Sequence, residues 1–214
     1  MVWLSVLSML VTQTPESGCV LEGVLSLKNA GARTSVSDTV VYLKDGPLRA
    51  RPEPETHIMT QRDLKFFPRT LVVMLNDKVS FVNEEEKTVH SVFSRLGKDP
   101  FLGDVNMRAT TYSRIFAKEG PVHIQCNVHD TMWADILVLR SPAFTRPDAK
   151  GNWSISGLER KNYTLVAWEP NGGEEQREVI CGGKKIEVEL EGKPPPKALR
   201  RDGSRYRPEY QDPW

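Results

Sequence analysis

Short runs of alternating apolar residues recur along this chain between turn-forming residues: VLEGVLSL, TVVYLKDG, TLVVML, KVSFVN, HSVFS, YSRIFA, VHIQC, ADILVL, NWSISG, YTLVAW, REVICG and KIEVEL. A period of two sends successive side chains to opposite faces, which is how a half-buried strand reads. Gly, Pro, Asn or Asp punctuates the runs, and no long segment keeps the 3.6-residue period of a helix. The pattern predicts an all-β protein of sandwich type with little helix. At 214 residues the chain has room for one large or two small domains, and two are expected.

Two stretches read as linkers, GPLRARPEPET at 46–56 and RSPAFTRPD at 140–148. Both hold prolines and charge, and they bracket 57–139 as a unit. From Gly192 the Pro-rich, basic stretch GKPPPKALRRDGSRYRPEYQDPW has little to bury, so 192–214 is expected to be a disordered tail without a site. The first residues, MVWLSVLSMLV, have the length of an export-signal core but lack a preceding Lys or Arg and a small-residue cleavage site. Residues 1–16 are therefore read as a degraded export signal or a frayed apolar end, and they are too short to span a bilayer. Basic residues number 29 against 28 acidic, a net charge of +1. No bulk field draws the chain to nucleic acid or anionic membrane, so neither partner is expected, nor an integral membrane span.

Chemistry concentrates in HIQCNVHDTMWADILVL. Cys126, His129 and Met132 stand three positions apart where the apolar alternation breaks, and His90 precedes Cys126 by 36 residues (126 − 90). One thiolate and two imidazoles in a trigonal plane, with a weak thioether contact, suit copper and a fast one-electron change; the geometry lies between the preferences of Cu(I) and Cu(II). Zinc usually takes a fourth strong ligand, and none is evident. In PVHIQC, Val122, Ile124 and Cys126 share one face, so Cys126 points into the core and His123 points outward. The ligands then sit on a loop held between two strands. The alternative is packing alone, because a buried Cys is commonly an inert small hydrophobe. His57 and His123 lack ligand-spaced partners. The run Glu84-Glu85-Glu86 reads as a solvated turn, or as a face for a cationic partner.

Four histidines cannot build a trinuclear copper cluster, a dinuclear centre would need a second loop cysteine, and the haem signature C-x-x-C-H is absent. Nothing has the pattern of a Ser-His-Asp triad or a phosphate-cradling glycine loop. The expected function is electron transfer rather than catalysis, leaving through His129 with Trp133 beside it. The alternative is a copper-binding or copper-free cell-envelope interaction protein with no redox turnover.

Residues about 58–139 resemble a cupredoxin through KFFPRTLVVMLNDKVSFVNEEEKTVHSV and FAKEGPVHIQCNVHDTMWADILVL. The loop spacing is similar to that of amicyanin, among plastocyanin-like proteins of the methylamine-utilisation type. The family motif C-x-x-H-x-x-M falls on Cys126, His129 and Met132, and its upstream ligand on His90. The resemblance implies a Greek-key β-sandwich, one type-1 (blue) copper per chain, an unidentified redox partner protein, and a periplasmic or extracellular location. Ser91 stands where the family usually has the Asn that ties its two ligand loops, and Asn76 where it has Gly.

AFTRPDAKGNWSISGLERKNYTLVAWEP, followed by REVICGGKKIEVELEG, resembles a carboxypeptidase regulatory-like domain, a small Ig-like β-sandwich, at Asp148, Gly151, Trp153, Ile155, Gly157, Leu158, Tyr163 and Leu165. That family's opening strands are similar to GCVLEGVLSLKNAGARTSVSDTVVYLKDG. The economical reading joins 17–48 to 143–191 as one sandwich with the copper domain 55–142 inserted. The competing reading gives the first strands to the cupredoxin. Under insertion Cys19 and Cys181 belong to one sandwich, where they either pair or stand as separate strand residues.

Overall fold

A computed structural model describes residues 18–29, 35–48, 53–97, 99–103 and 110–206. The expectation for 1–16 lies outside the described residues, as does that for 207–214. Among the described residues the secondary structure is β, apart from one short 3-10 turn at Val36–Asp38. The expected all-β class holds.

Strands from both ends of the chain meet in a terminal sandwich. Its strands are β1 (Cys19–Lys28), β2 (Val40–Leu43), β12 (Phe144–Thr145), β13 (Asn152–Leu158), β14 (Asn162–Glu169), β15 (Gly173–Ile180) and β16 (Ile186–Glu191). One sheet has the order β13-β1-β16 and the other β12-β2-β14-β15. Alternation in β1 buries Cys19, Leu21 and Leu25 while Val20, Glu22 and Ser26 stay exposed. Those side chains meet Val41, Leu43, Trp153, Ile155, Tyr163 and Leu165 in a single core. A disulfide joins Cys19 to Cys181 with Cα atoms 5.9 Å apart, closing the pair that the sequence left open. The turn before β13 needs Gly151: its φ is +85°, and a Cβ there would lie 2.1 Å from the Leu25 carbonyl oxygen.

Residues 56–139 form the central sandwich from β3 (Thr56–Arg62), β4 (Lys65–Phe67), β5 (Thr70–Met74), β6 (Lys78–Asn83), β7 (Phe93–Gly97), β8 (Phe101–Leu102), β9 (Thr111–Ile115), β10 (Gly120–Gln125) and β11 (Trp133–Leu139). Its sheets are β5-β11-β10-β7-β8 and β4-β3-β6-β9. Met59, Phe66, Val79, Phe81, Phe116, Val122, Ile124, Ile136 and Val138 fill the space between them. Asn76 occupies the left-handed region at φ +71° in the turn from β5 to β6, as Asn tolerates.

The two sandwiches share a third apolar cluster. Leu137 and Leu139 of β11 leave the central core and pack against Val40 of β2 and Trp168 of β14. Strand β11 is therefore buried on both faces, which explains why its sequence is nearly continuously apolar. The outward face of the hairpin is not solvent. His123 does lie opposite Cys126, yet it is only 6% exposed, with Asp135 2.8 Å from its Nδ1 and the Trp133 ring centroid 5.5 Å away. The alternation gave its side correctly and its exposure wrongly, because a second sandwich was not counted against that face.

Candidate metal centre

Strands β10 and β11 form an antiparallel hairpin with Gln125 opposite Trp133. Residues 126–132 make its connection. The Cys126 amide donates to the Met132 carbonyl at 3.0 Å and the Met132 amide to the His129 carbonyl at 3.4 Å, so the loop folds back on itself. This brings His129 back to Cys126. His90 arrives from the connection between β6 and β7, fully buried.

Ligand atoms of His90, Cys126 and His129 all lie within 4.8 Å of one another. Cys126 Sγ is 3.7 Å from His129 Nδ1. With metal–sulfur and metal–nitrogen bonds of about 2.3 and 2.0 Å, two ligands 120° apart are separated by about 3.7 Å, so this pair already has a trigonal spacing. The His90 and His129 ring centroids are 5.0 Å apart. Met132 is buried in the same core cluster as Cys126.

His90 supplies the sharper test of whether a metal fits. Its Nε2 is hydrogen-bonded to the Glu85 carboxylate. In the neutral tautomer that donates from Nε2 to this carboxylate, Nδ1 is the lone-pair atom, as a metal ligand requires. That Nδ1 is buried without a hydrogen-bond partner. An unsatisfied buried acceptor costs about 1–3 kcal/mol, and a metal shared with Cys126 and His129 removes the penalty. The donor set fits. Glu85 also corrects the sequence reading of the glutamate run, one of whose members turns inward to orient a ligand candidate.

Burial, the largest influence on the Cys126 thiol, pushes its pKa up. Hydrogen bonds from the His129 side chain and the backbone of Ser91, His129 and Val128 outweigh burial together, and the thiol ends below its usual value. The site favours the thiolate a metal needs. Ser91 ties the two ligand loops: its Oγ accepts from the Asn127 amide at 2.7 Å and lies 3.9 Å from Cys126 Sγ. The hydroxyl thus bridges the two segments that carry His90 and Cys126.

The other histidines stay apart from this cluster. His57 Nε2 is 2.7 Å from Asp77, and His123 is held by Asp135. Trp133, next to Met132, carries the Arg69 guanidinium 3.5 Å above its ring.

The tail differs most from expectation. Tyr206 is 7% exposed, and its hydroxyl donates to the carbonyl of Cys126. The Arg201 amide donates 2.8 Å to Asn127 Oδ1. Residues 200–206 therefore lie across the candidate ligand loop, and the reading of 192–214 as disordered does not hold for them. Polar, Pro-rich composition hid this; the available signal was the aromatic residues of an otherwise basic stretch, Tyr206, Tyr210 and Trp214.

No family model and no curated protein matches the chain. The similar solved structures are cupredoxins. An oxidised amicyanin mutant is 22% identical, with 38% of this chain and 80% of that chain covered at a TM-score of 0.35. A pseudoazurin from Sinorhizobium is 20% identical, covering 39% and 73% at 0.32. A copper-containing nitrite reductase from Thermus scotoductus SA-01 is 24% identical, covering 47% of this chain and 25% of that chain at 0.37.

Proposed function

We propose that the chain is a mononuclear type-1 copper protein that carries single electrons between partner proteins outside the cytoplasm, with His90, Cys126, His129 and Met132 as ligands. The observation that carries the reading is the buried, unpartnered Nδ1 of His90 beside a thiol and a second imidazole. When bound, copper supplies the one-electron change. The chain's own residues fix the site through it: Glu85 sets the tautomer and ring angle of His90, Ser91 clamps Asn127 to Cys126, and the hairpin of β10 and β11 holds the loop rigid. A preorganised site reorganises little between oxidation states, as a carrier requires. Among the described residues no helix is long and apolar enough to cross a membrane, and the Cys19–Cys181 disulfide supports an oxidising compartment. This reading assigns no catalytic residue.

We also read 55–142 as an insertion into a sandwich built from 17–48 and 143–191. Support comes from β1 pairing with β13 and β16, and from β2 pairing with both β12 and β14.

Protein-film voltammetry of the copper-loaded chain tests the function. A reversible one-electron wave at positive potential is expected. Tight copper binding without a reversible wave would favour the alternative, a copper-binding interaction protein.

A further inference from the structure

Residues 200–206 do more than cover the ligand loop; they bring charge to it. Tyr206 is bonded to the Cys126 carbonyl, the Arg201 amide to Asn127, and Arg95 Nη1 donates 3.2 Å to the Arg200 carbonyl. The last two attachments use only the main chain of Arg200 and Arg201, and the Arg200 guanidinium faces Asp202 and Tyr206. Arg95, Arg201 and Arg205 are exposed and Arg200 half-buried. None of the four takes part in an ion pair among the described residues. Three carboxylates share this end, Asp130, Asp202 and Glu85; Asp202 already accepts from the Ser204 amide and hydroxyl, and Glu85 is held by His90.

Four arginines against three carboxylates, one of them engaged by His90, leave the edge of the loop that the segment covers basic in a chain whose net charge is +1. Compensating charge sits on the terminal sandwich, where Glu174, Glu175, Glu178, Glu187, Glu189 and Glu191 lie on the adjacent strands β15 and β16.

We infer that the C-terminal segment builds a cationic docking rim around the metal-ligand loop, and that its partner is a protein with a carboxylate-rich surface. A local positive field raises the encounter rate with such a surface by about 10- to 1,000-fold at low salt and orients it toward the loop. Arginine suits this task, since its planar fork binds carboxylates in pairs. The purpose of the rim rests on the electron-carrier reading, whereas its existence does not, and the test below needs no copper.

Titrate 15N-labelled copper-free protein with hexacyanochromate(III), a paramagnetic trianion, at about 10 mM salt, where the Debye length is about 30 Å. Amides of Arg95, residues 126–129 and residues 200–206 should broaden first. The combined variant Arg200→Glu, Arg201→Glu and Arg205→Glu should bind the trianion about tenfold more weakly or worse. It keeps every main-chain attachment of the segment, which unchanged Cys126 and Asn127 amide shifts will confirm. If those shifts move, the milder Arg→Gln triple replaces it, with the same expected weakening. Broadening spread evenly over the surface, broadening centred on Arg69 and Arg146, or full binding by the variant overturns the inference. So does self-association at low salt that is abolished by the same variant, because the rim would then serve a second copy through the glutamates of β15 and β16.

Discussion

Reducing the Cys19–Cys181 disulfide should strip the terminal sandwich of much of its stability. The two cysteines are 162 positions apart, and closing a loop of that length removes denatured-state entropy equivalent to about 5 kcal/mol. If the central sandwich stays folded while the terminal one opens, the 88 residues of 55–142 behave as a short tether. The effective loop then falls to about 74 residues and the contribution to about 4.5 kcal/mol. Either figure is a large fraction of the roughly 5–15 kcal/mol that holds an ordinary domain together. The assay is urea unfolding of copper-free protein carrying Cys126→Ser, with and without a phosphine reductant, so that no free thiol reshuffles. Fluorescence follows the terminal sandwich through Trp153 and Trp168 once Trp3, Trp133 and Trp214 are replaced by Phe. With a slope of about 2 kcal/mol per molar urea, the midpoint should drop by about 2 M on reduction. Midpoints within about 0.3 M of each other would refute the reasoning, as would three free thiols in the unreduced natural sequence by mass spectrometry.

Replacing Met132 by Gln exchanges a soft thioether for a harder oxygen donor, so the copper-loaded variant should stay coloured with a lower potential; an unchanged or higher potential in voltammetry removes Met132 from the site. Exchanging 55–142 for a short Gly/Ser linker should leave a folded, disulfide-closed sandwich with dispersed NMR signals, since Phe144 already pairs with Tyr42 across the gap; an unfolded product contradicts the insertion. Hydrogen bonds from the Asn152 side chain, then its amide, and from the Lys150 amide hold the Asp148 carboxyl below its usual range. That depressed group adds stability above the normal carboxylate pKa, and the contribution is lost as pH falls through the folded value. Amide protection factors at the turn into β13, with the intrinsic pH dependence of exchange divided out, should fall in that acid window, and Asp148→Asn should flatten the response.

How much of this was legible depended on sequence distance. The approach of His129 to Cys126 could be read because one short hairpin loop turns a three-residue spacing directly into proximity; Met132, a proposed ligand, shares the core cluster of Cys126. His90 followed from its residue type and the strand pattern around it. Glu85 was not legible, because five residues separate it from His90 and nothing in a run of three glutamates says which one turns inward. Ser91 and Asn127 meet across 36 residues, and Tyr206 reaches Cys126 across 80; no periodicity encodes such contacts. The double burial of β11 was misjudged for a related reason. Alternation identifies the two faces of a strand, but only the packing of the terminal sandwich decides that both are dry.

The central claim is that His90, Cys126, His129 and Met132 hold one copper ion through a thiolate bond. The most direct measurement adds Cu(II) stepwise to copper-free protein and to its Cys126→Ser variant while the visible spectrum is recorded. An intense blue or green charge-transfer band that saturates at one copper per chain is expected from the parent protein, and no such band from Cys126→Ser. A colourless parent protein, or a band that survives the loss of the thiolate, would contradict it.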